Sequence, residues 1–271
     1  MSKSKSLARN ILTVFLACSM SYCSKPQPLI VLMTDFGERD FYIGAIKGAI
    51  YKVNPHARID YISNDIAKFD IEEGAYTLLK ASAEFPPGTI FVVVVDPGVG
   101  TERKPIILKT TNGYYFVGPD NGIFSSVIDE FGLAAIYEIS NPDVMQNQKM
   151  SSTFHGRDIF GPAAGHLSQG FPLAKFGRPL KTYIRLARED ARIVNDKIIG
   201  KVVVIDDYGN LISNIGRQHF EKVGWQIGDT LRVIVGADEF LVKYVNAYGD
   251  VAVGTTLGLF GSGDVFEVAI N

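Results

Sequence analysis

The sequence predicts an α/β fold: an N-terminal parallel or mixed sheet flanked by helices, followed by a smaller C-terminal β-barrel domain. Three features carry this expectation. Continuous apolar runs at Leu29 to Met33 and Ile90 to Val95 each end in an acidic loop, stretches of helical spacing separate the strands, and the last third of the chain consists of short strands punctuated by glycine. Strand, helix, strand, helix, strand implies parallel neighbours, because a parallel pair needs a long crossover that a helix supplies. Short strands with frequent glycine fit a small barrel or sandwich.

Leu29 to Met33 is wholly apolar and stops at Thr34-Asp35-Phe36-Gly37, so it reads as a buried strand that delivers a polar loop. Phe41, Ile43, Ala45, Ile46, Ala49 and Ile50 then supply a helical apolar face that Asn54-Pro55 closes. Ile59 to Ile62 reads as a second strand, Glu72 to Phe85 as a helix stopped by Pro86-Pro87-Gly88, and Ile90 to Val95 as a third strand. Ile106 to Thr110 and Tyr114 to Val117 flank Thr111-Asn112-Gly113, a hairpin signal, and Gly118-Pro119-Asp120-Asn121-Gly122 is a tight polar loop. Phe160 to Leu167 has helical character. Charged residues cluster from Arg185 to Arg192, and 181–197 reads as a linker before the strands Ile198 to Ile205 and Thr230 to Val235. The expected organisation is residues 1–27 as a signal peptide, 28–190 as the α/β domain and 191–271 as the β-barrel domain.

The N-terminus has the layout of an export signal: Lys3, Lys5 and Arg9 precede the apolar run Ile11 to Ala17. That run is about seven residues, against roughly 20 needed to span a bilayer. Leu16-Ala17-Cys18 resembles the end of a bacterial lipoprotein signal, with Phe15 in place of the usual leucine. A lipid anchor at Cys18, a simple secretory cut near Ser21 to Ser24, and a misassigned start on a cytoplasmic protein all remain open. The expected location is periplasmic or membrane-anchored.

With 271 residues, 46% hydrophobic and 21% charged, and a formal net charge of −2, the chain has the composition of a globular protein and no surplus of cations for a nucleic acid. Both cysteines, Cys18 and Cys23, precede the folded body, so its chemistry rests on oxygen and nitrogen groups.

In parallel sheets, ligand-binding loops sit at the carboxyl ends of strands, where Asp35 and Asp96 both fall. Asp96-Pro97-Gly98-Val99-Gly100-Thr101-Glu102-Arg103 joins an acid, a rigid proline, two permissive glycines and an arginine. Asp96 and Arg103 could hold a water between an acceptor and a donor, or form an ordinary surface ion pair in a turn. His155, in Phe154-His155-Gly156-Arg157-Asp158, precedes an expected helix start; a lone histidine is more often structural, and His56 and His166 are weaker candidates. Asp206-Asp207-Tyr208-Gly209-Asn210 suits the ammonium and carboxylate of an amino acid, although a turn explains the same composition. Glu38, Asp40, Asp120 and Asp158 lack the spacing of a metal set, so no metal is expected.

These motifs together, over nearly everything after Pro28, resemble the SAM hydroxide adenosyltransferases, relatives of the fluorinating and chlorinating enzymes. The resemblance implies a homotrimer with S-adenosylmethionine (SAM) as substrate between neighbouring subunits, and no separate cofactor. It places Asp35 on the ribose hydroxyls, Phe69 beside the sugar, and Asp206, Asn210 and Ser262 on the methionine end. Asp96, Arg103 and His155 become one water-handling triad. The implied reaction is hydrolysis of SAM to adenosine and methionine by attack of water at the ribose 5′ carbon. Halide transfer is the competing reaction. The halogenating relatives carry an aromatic residue where Asp96 stands, the fluorinating ones carry a serine at Gly156, and the insertion the latter have after this loop is absent here. A third possibility is an exported protein that binds adenosine-like ligands without turnover. The family's glycine-rich tail after Ala-x-Asn is missing beyond Asn271, so the adenine contacts are expected to differ.

Overall fold

The computed structural model describes residues 28–146 and 150–271. The expected signal segment 1–27, with Cys18, lies outside the described residues. Among those described, no helix is long and apolar enough to cross a membrane.

The first unit runs β1 (Leu29–Thr34), α1 (Tyr42–Val53), β2 (Arg58–Ser63), α2 (Ile71–Ser82), β3 (Ile90–Val94), β4 (Pro105–Thr110), β5 (Tyr115–Pro119), α3 (Ser125–Phe131), β6 (Leu133–Glu138) and α4 (Gly161–Ser168). Its strands form one six-stranded sheet in the order β2-β1-β3-β5-β4-β6. The β1–β2, β1–β3 and β3–β5 pairs are parallel, and the β4–β5 hairpin and the β4–β6 pair are antiparallel. The sheet is therefore mixed. Alternate residues of the central strands feed two cores. Ile30, Leu32, Val92 and Val94 pack with Ile46, Ile50 and Phe160 on one face, and Val31, Met33, Phe91 and Val93 pack with Leu78 and Val127 on the other. Burial on both faces explains why β1 and β3 read as unbroken apolar runs rather than alternating ones.

Helix ends follow their local chemistry. Asp70 caps α2 by accepting from the amides of Glu72 and Glu73 at 3.0 and 2.9 Å. The helix ends at Ser82, short of the expected Phe85, whose backbone carbonyl instead receives the Tyr114 hydroxyl at 2.8 Å. Phe41, expected on the apolar face of α1, precedes the helix and is 66% exposed.

The second unit contains β7 (Arg192–Val194), β8 (Lys197–Ile199), β9 (Val202–Ile205), β10 (Leu211–Gly216), α5 (Arg217–Val223), β11 (Thr230–Val235), β12 (Asp238–Tyr244), β13 (Thr256–Phe260) and β14 (Val265–Ile270). Six of its strands make a curled half-barrel in the order β11-β12-β13-β14-β10-β9 around Phe220, Tyr244, Phe260 and Phe266. Two expectations change here. The continuous strand Ile198 to Ile205 is broken at Gly200-Lys201, and the linker expected over 181–197 ends earlier, in the hairpin β7–β8. Asn195 and Asp196 turn that hairpin with φ of 48° and 57°, the left-handed geometry that two-residue hairpin turns require.

Candidate active site

The parallel register of β1 and β3 places Thr34 opposite Val94, so the residues that follow emerge side by side at the carboxyl edge of the sheet. Asp35 leaves β1 at that edge and is only 4% exposed. Its Oδ2 accepts from the Phe69 amide at 2.9 Å, and its backbone carbonyl receives the Lys68 ammonium. Phe69 sits at φ 66° with its ring exposed. A bulky residue in the left-handed region costs roughly 1–2 kcal/mol, and strain of this kind clusters at binding sites.

Asp96 follows β3 and opens two tight turns, with the Val99 amide on the Asp96 carbonyl and the Thr101 amide on the Gly98 carbonyl, both at 3.2 Å. The turns bring Arg103 back onto Asp96. Its Nε donates to Oδ1 at 3.0 Å and its Nη2 to Oδ2 at 2.5 Å. The guanidinium thus bonds the carboxylate directly, rather than through a water, and the pair is buried, with side chains 6% and 4% exposed, rather than lying at the surface. Gly100, at φ 78°, lies so close to the segment leading to His155 that a Cβ there would collide with the Ser152 carbonyl oxygen. This approach fixes the loop against its neighbour.

His155 ends that segment. Its Nδ1 is 2.7 Å from Arg103 Nη2. Guanidinium has no lone pair to offer, so Nδ1 must accept, and the ring hydrogen of a neutral imidazole is then on Nε2. Burial, reinforced by the Arg103 charge, lowers the His155 pKa against the opposing pull of Asp96 and Asp158. A π-helical turn, Gly156–Phe160, follows at once and leads into α4; such turns recur at functional sites because they re-aim side chains. Arg103 Nη1 is buried with no hydrogen-bond partner in the structure. Asp96, His155, Phe36 and Phe154 border a cavity of about 40 Å³, room for about one water.

A wider cleft of about 360 Å³ shares Phe36, Thr153 and Phe154 with this cavity and adds Phe41, Tyr42 and Arg157. Tyr42 meets Phe154 edge-on at 5.2 Å, and Arg157 lies 5.0 Å from the Phe154 ring centre. Sequence reasoning placed Phe41 on the apolar face of α1 and missed this aromatic wall; the signal for it was a pair of adjacent aromatics at the helix start.

The second unit brings Asp206 and Asn210 together across the β9–β10 turn. The Asn210 amide donates to Asp206 Oδ1 at 2.9 Å and its Nδ2 to Oδ2 at 3.0 Å. Tyr248 donates to the buried Glu267; that bond first, then burial and the Glu267 and Asp206 charges, push its hydroxyl up to about 12. Ser262 is exposed on the β13–β14 turn. Three groups therefore form, Asp96–Arg103–His155, Asp35–Phe69 and Asp206–Asn210, with the first two on one sheet edge and the third on the half-barrel.

Three of the four acids weighed for a metal have other partners. Asp120 Oδ1 accepts from the Ile184 amide at 2.8 Å, Asp158 pairs with Arg157 at 2.6 Å, and Glu38 accepts from Asn64 at 3.4 Å. Among the described residues, no three His, Cys, Asp or Glu side chains converge as a metal set.

Comparison with known proteins matches residues 30–177 to the SAM hydroxide adenosyltransferase N-terminal domain and 200–271 to the C-terminal domain of the same family. The (R)-S-adenosyl-L-methionine hydrolase of Methanocaldococcus jannaschii is 36% identical over 231 residues, covering 81% of this chain and 80% of that protein. A fluorinase of Nocardia brasiliensis is 31% identical over 273 residues, covering 90% and 91%. The crystal structure of an uncharacterized conserved protein from Thermotoga maritima superposes with a TM-score of 0.84 at 41% identity, covering 89% of this chain and 92% of that one.

Proposed function

The chain belongs to the SAM hydroxide adenosyltransferase family, and on that premise we propose that it hydrolyses S-adenosyl-L-methionine to adenosine and L-methionine. The observation that carries this reading is Arg103, which holds Asp96 and His155 at once while its Nη1 stays buried without an acceptor. A water beside these groups can donate to the Asp96 carboxylate and accept from the imidazole Nε2–H or the free guanidinium hydrogens. With Nδ1 taken by Arg103, His155 orients the water and Asp96 is the group left to accept its proton.

The reaction forms an O–C5′ bond as the C5′–S bond breaks, and the bonding pair leaves on sulfur as a neutral thioether. The water's proton passes to Asp96 and on to solvent. Sulfonium is already a good leaving group, so alignment is the main contribution; effective molarities of about 10⁵ to 10⁸ M show how much positioning can supply. Asp35 and Phe69 hold the ribose in this reading, and Asp206, Asn210 and Ser262 the methionine end. A homotrimer with each site between neighbouring subunits, which the family resemblance implies, belongs to the same proposal.

Halide transfer fits less well. A buried carboxylate beside the nucleophile repels an anion, and a side chain at Gly156 would have to push aside the terminal methyl of Ile46, whose Cδ1 lies 2.9 Å from a Cβ built there. A protein that only binds would have no use for a guanidinium shared between an acid and an imidazole.

The test is incubation with each sulfonium epimer of SAM in ¹⁸O water, with and without chloride, followed by chromatography and mass spectrometry. Adenosine labelled at the 5′ oxygen is expected. A halogenated nucleoside, or unlabelled adenosine, overturns direct hydrolysis. Export rests on Lys3, Lys5, Arg9 and the short apolar run before Cys18; cell fractionation should find the protein outside the cytoplasm, and Cys18→Ala should release it from membrane if the lipid anchor exists.

A further inference from the structure

The turn that carries Ser262 is gripped from both units. From α2, 183 residues away in sequence, the Lys80 ammonium donates to the Gly263 carbonyl at 2.6 Å. Lys80 also lies 5.8 Å from the ring centre of Tyr76, one helical turn earlier. The Tyr76 hydroxyl stands where a side chain on residue 263 would begin, 2.7 Å from a Cβ built on Gly263. On the half-barrel side, Asp264 pairs with Arg217 at 2.5 Å, and the carboxylate of the buried Glu267 occupies the space that a side chain on Gly261 would need.

We propose that Lys80 and Tyr76 are positioning residues: α2 of the first unit sets the height and tilt of the Ser262 turn, and through it the affinity of the site for the amino-acid end of its ligand. This rests on the assignment of Ser262 to the methionine end. Gly263 offers its backbone carbonyl to a flexible cation, and a methyl group on it would have to displace the Tyr76 hydroxyl 2.7 Å away, so both contacts reach the turn from α2. Either change moves Ser262 without touching the groups around Asp96. The effect is therefore confined to ligands that carry the amino-acid moiety. Adenosine, which lacks it, reports on the ribose side alone.

The experiment uses the full chain and calorimetric titration with L-methionine and with adenosine, beside steady-state hydrolysis of SAM. Lys80→Met keeps the length of the stem and removes the donor. It should weaken L-methionine binding and raise KM for SAM by about 3- to 10-fold, with adenosine binding and kcat within about two-fold. Lys80→Arg should restore most of the affinity. Gly263→Ala should show the same pattern, and Tyr76→Phe added to it should recover affinity, because it removes the oxygen that the new methyl group meets. Circular dichroism melts identify any variant that has lost its fold, and the Gly263→Ala/Tyr76→Phe pair keeps the question open to measurement if Lys80→Met is one of them. Unchanged L-methionine affinity in folded Lys80→Met, or an equal loss for adenosine, overturns the proposal. Wild-type protein that binds L-methionine but leaves SAM intact overturns the hydrolase reading and not this one.

Discussion

Arg103 Nη2 lies 2.7 Å from His155 Nδ1, and because a guanidinium can only donate, this contact fixes the imidazole as an acceptor on that side. In the proposed reaction that leaves Asp96 to take the proton, so substitutions at the three positions should have different consequences.

Asp96→Asn keeps the size of the side chain and removes its charge. Turnover should fall by about 10² to 10⁴, the usual range for general-base assistance, with KM changed only a few-fold. His155→Ala should also lower kcat, by less. Arg103→Ala differs in kind, because it strands a buried carboxylate; loss of one partner of a buried pair typically costs about 3–5 kcal/mol, so its melting temperature should drop along with its rate. Steady-state kinetics and thermal melts on the three variants check this. Near-normal turnover in Asp96→Asn would remove Asp96 as the proton acceptor.

The pH dependence follows from the lowered pKa of His155, caused by burial and then by Arg103. Above the ordinary histidine value near 6.5 the ring is neutral folded and unfolded alike. As pH falls below it, the unfolded chain takes up a proton that the folded one refuses, so this residue's contribution turns increasingly against the folded state until the lowered pKa is reached. Imidazole NMR shifts should show His155 titrating below the ordinary histidine value. A His155 titration at or above the ordinary value would contradict the acceptor role of Nδ1.

Gly156→Ser places a side chain against Ile46 Cδ1, with its Cβ at 2.9 Å. Overpacking of this kind costs about 1–3 kcal/mol, and Ile46→Val should return part of it. Neither variant should yield a halogenated nucleoside in chloride or fluoride, since Asp96 remains. Melting curves and product chromatography decide both points.

Phe69→Gly relieves a φ of 66° and removes a ring that is 66% exposed. The melting temperature should be no lower than that of the wild type, because the relief of left-handed strain offsets the added backbone entropy of glycine. KM for SAM should rise. A fall in stability with KM unchanged would show that the ring packs for the fold rather than for the ligand.

What the sequence disclosed depended on how local the cause was. β1 and β3 were legible because burial on both faces leaves no polar residue to interrupt them. The β4–β5 hairpin was legible from Asn112-Gly113. The helices α3 and α5 were not read, since each has only seven residues and α5, Arg217–Val223, is mostly polar. Tertiary packing decides them, through Val127 under the sheet and Phe220 against Phe260. The β7–β8 turn was missed because Asn195-Asp196 lacks the glycine that usually marks it. The acidic loops could be placed on one sheet edge from strand direction alone. The grouping of Arg103 with His155, 52 residues apart, came through the family resemblance alone, because no spacing rule connects two loops that meet only in the folded chain. Phe41 was misplaced for a related reason: helical spacing records which residues share a face and says nothing of whether anything covers it.

The buried pairing of Asp96 with Arg103 also bears on how such a protein can change over generations. Replacing Asp96 with an aromatic residue leaves a guanidinium stranded among apolar neighbours, with the Phe160 ring 5.4 Å from its centre. Replacing Arg103 first strands the carboxylate instead. Either single step passes through a less stable intermediate, so the two positions are epistatic, and they can change together only by near-simultaneous exchange or after stability is gained elsewhere.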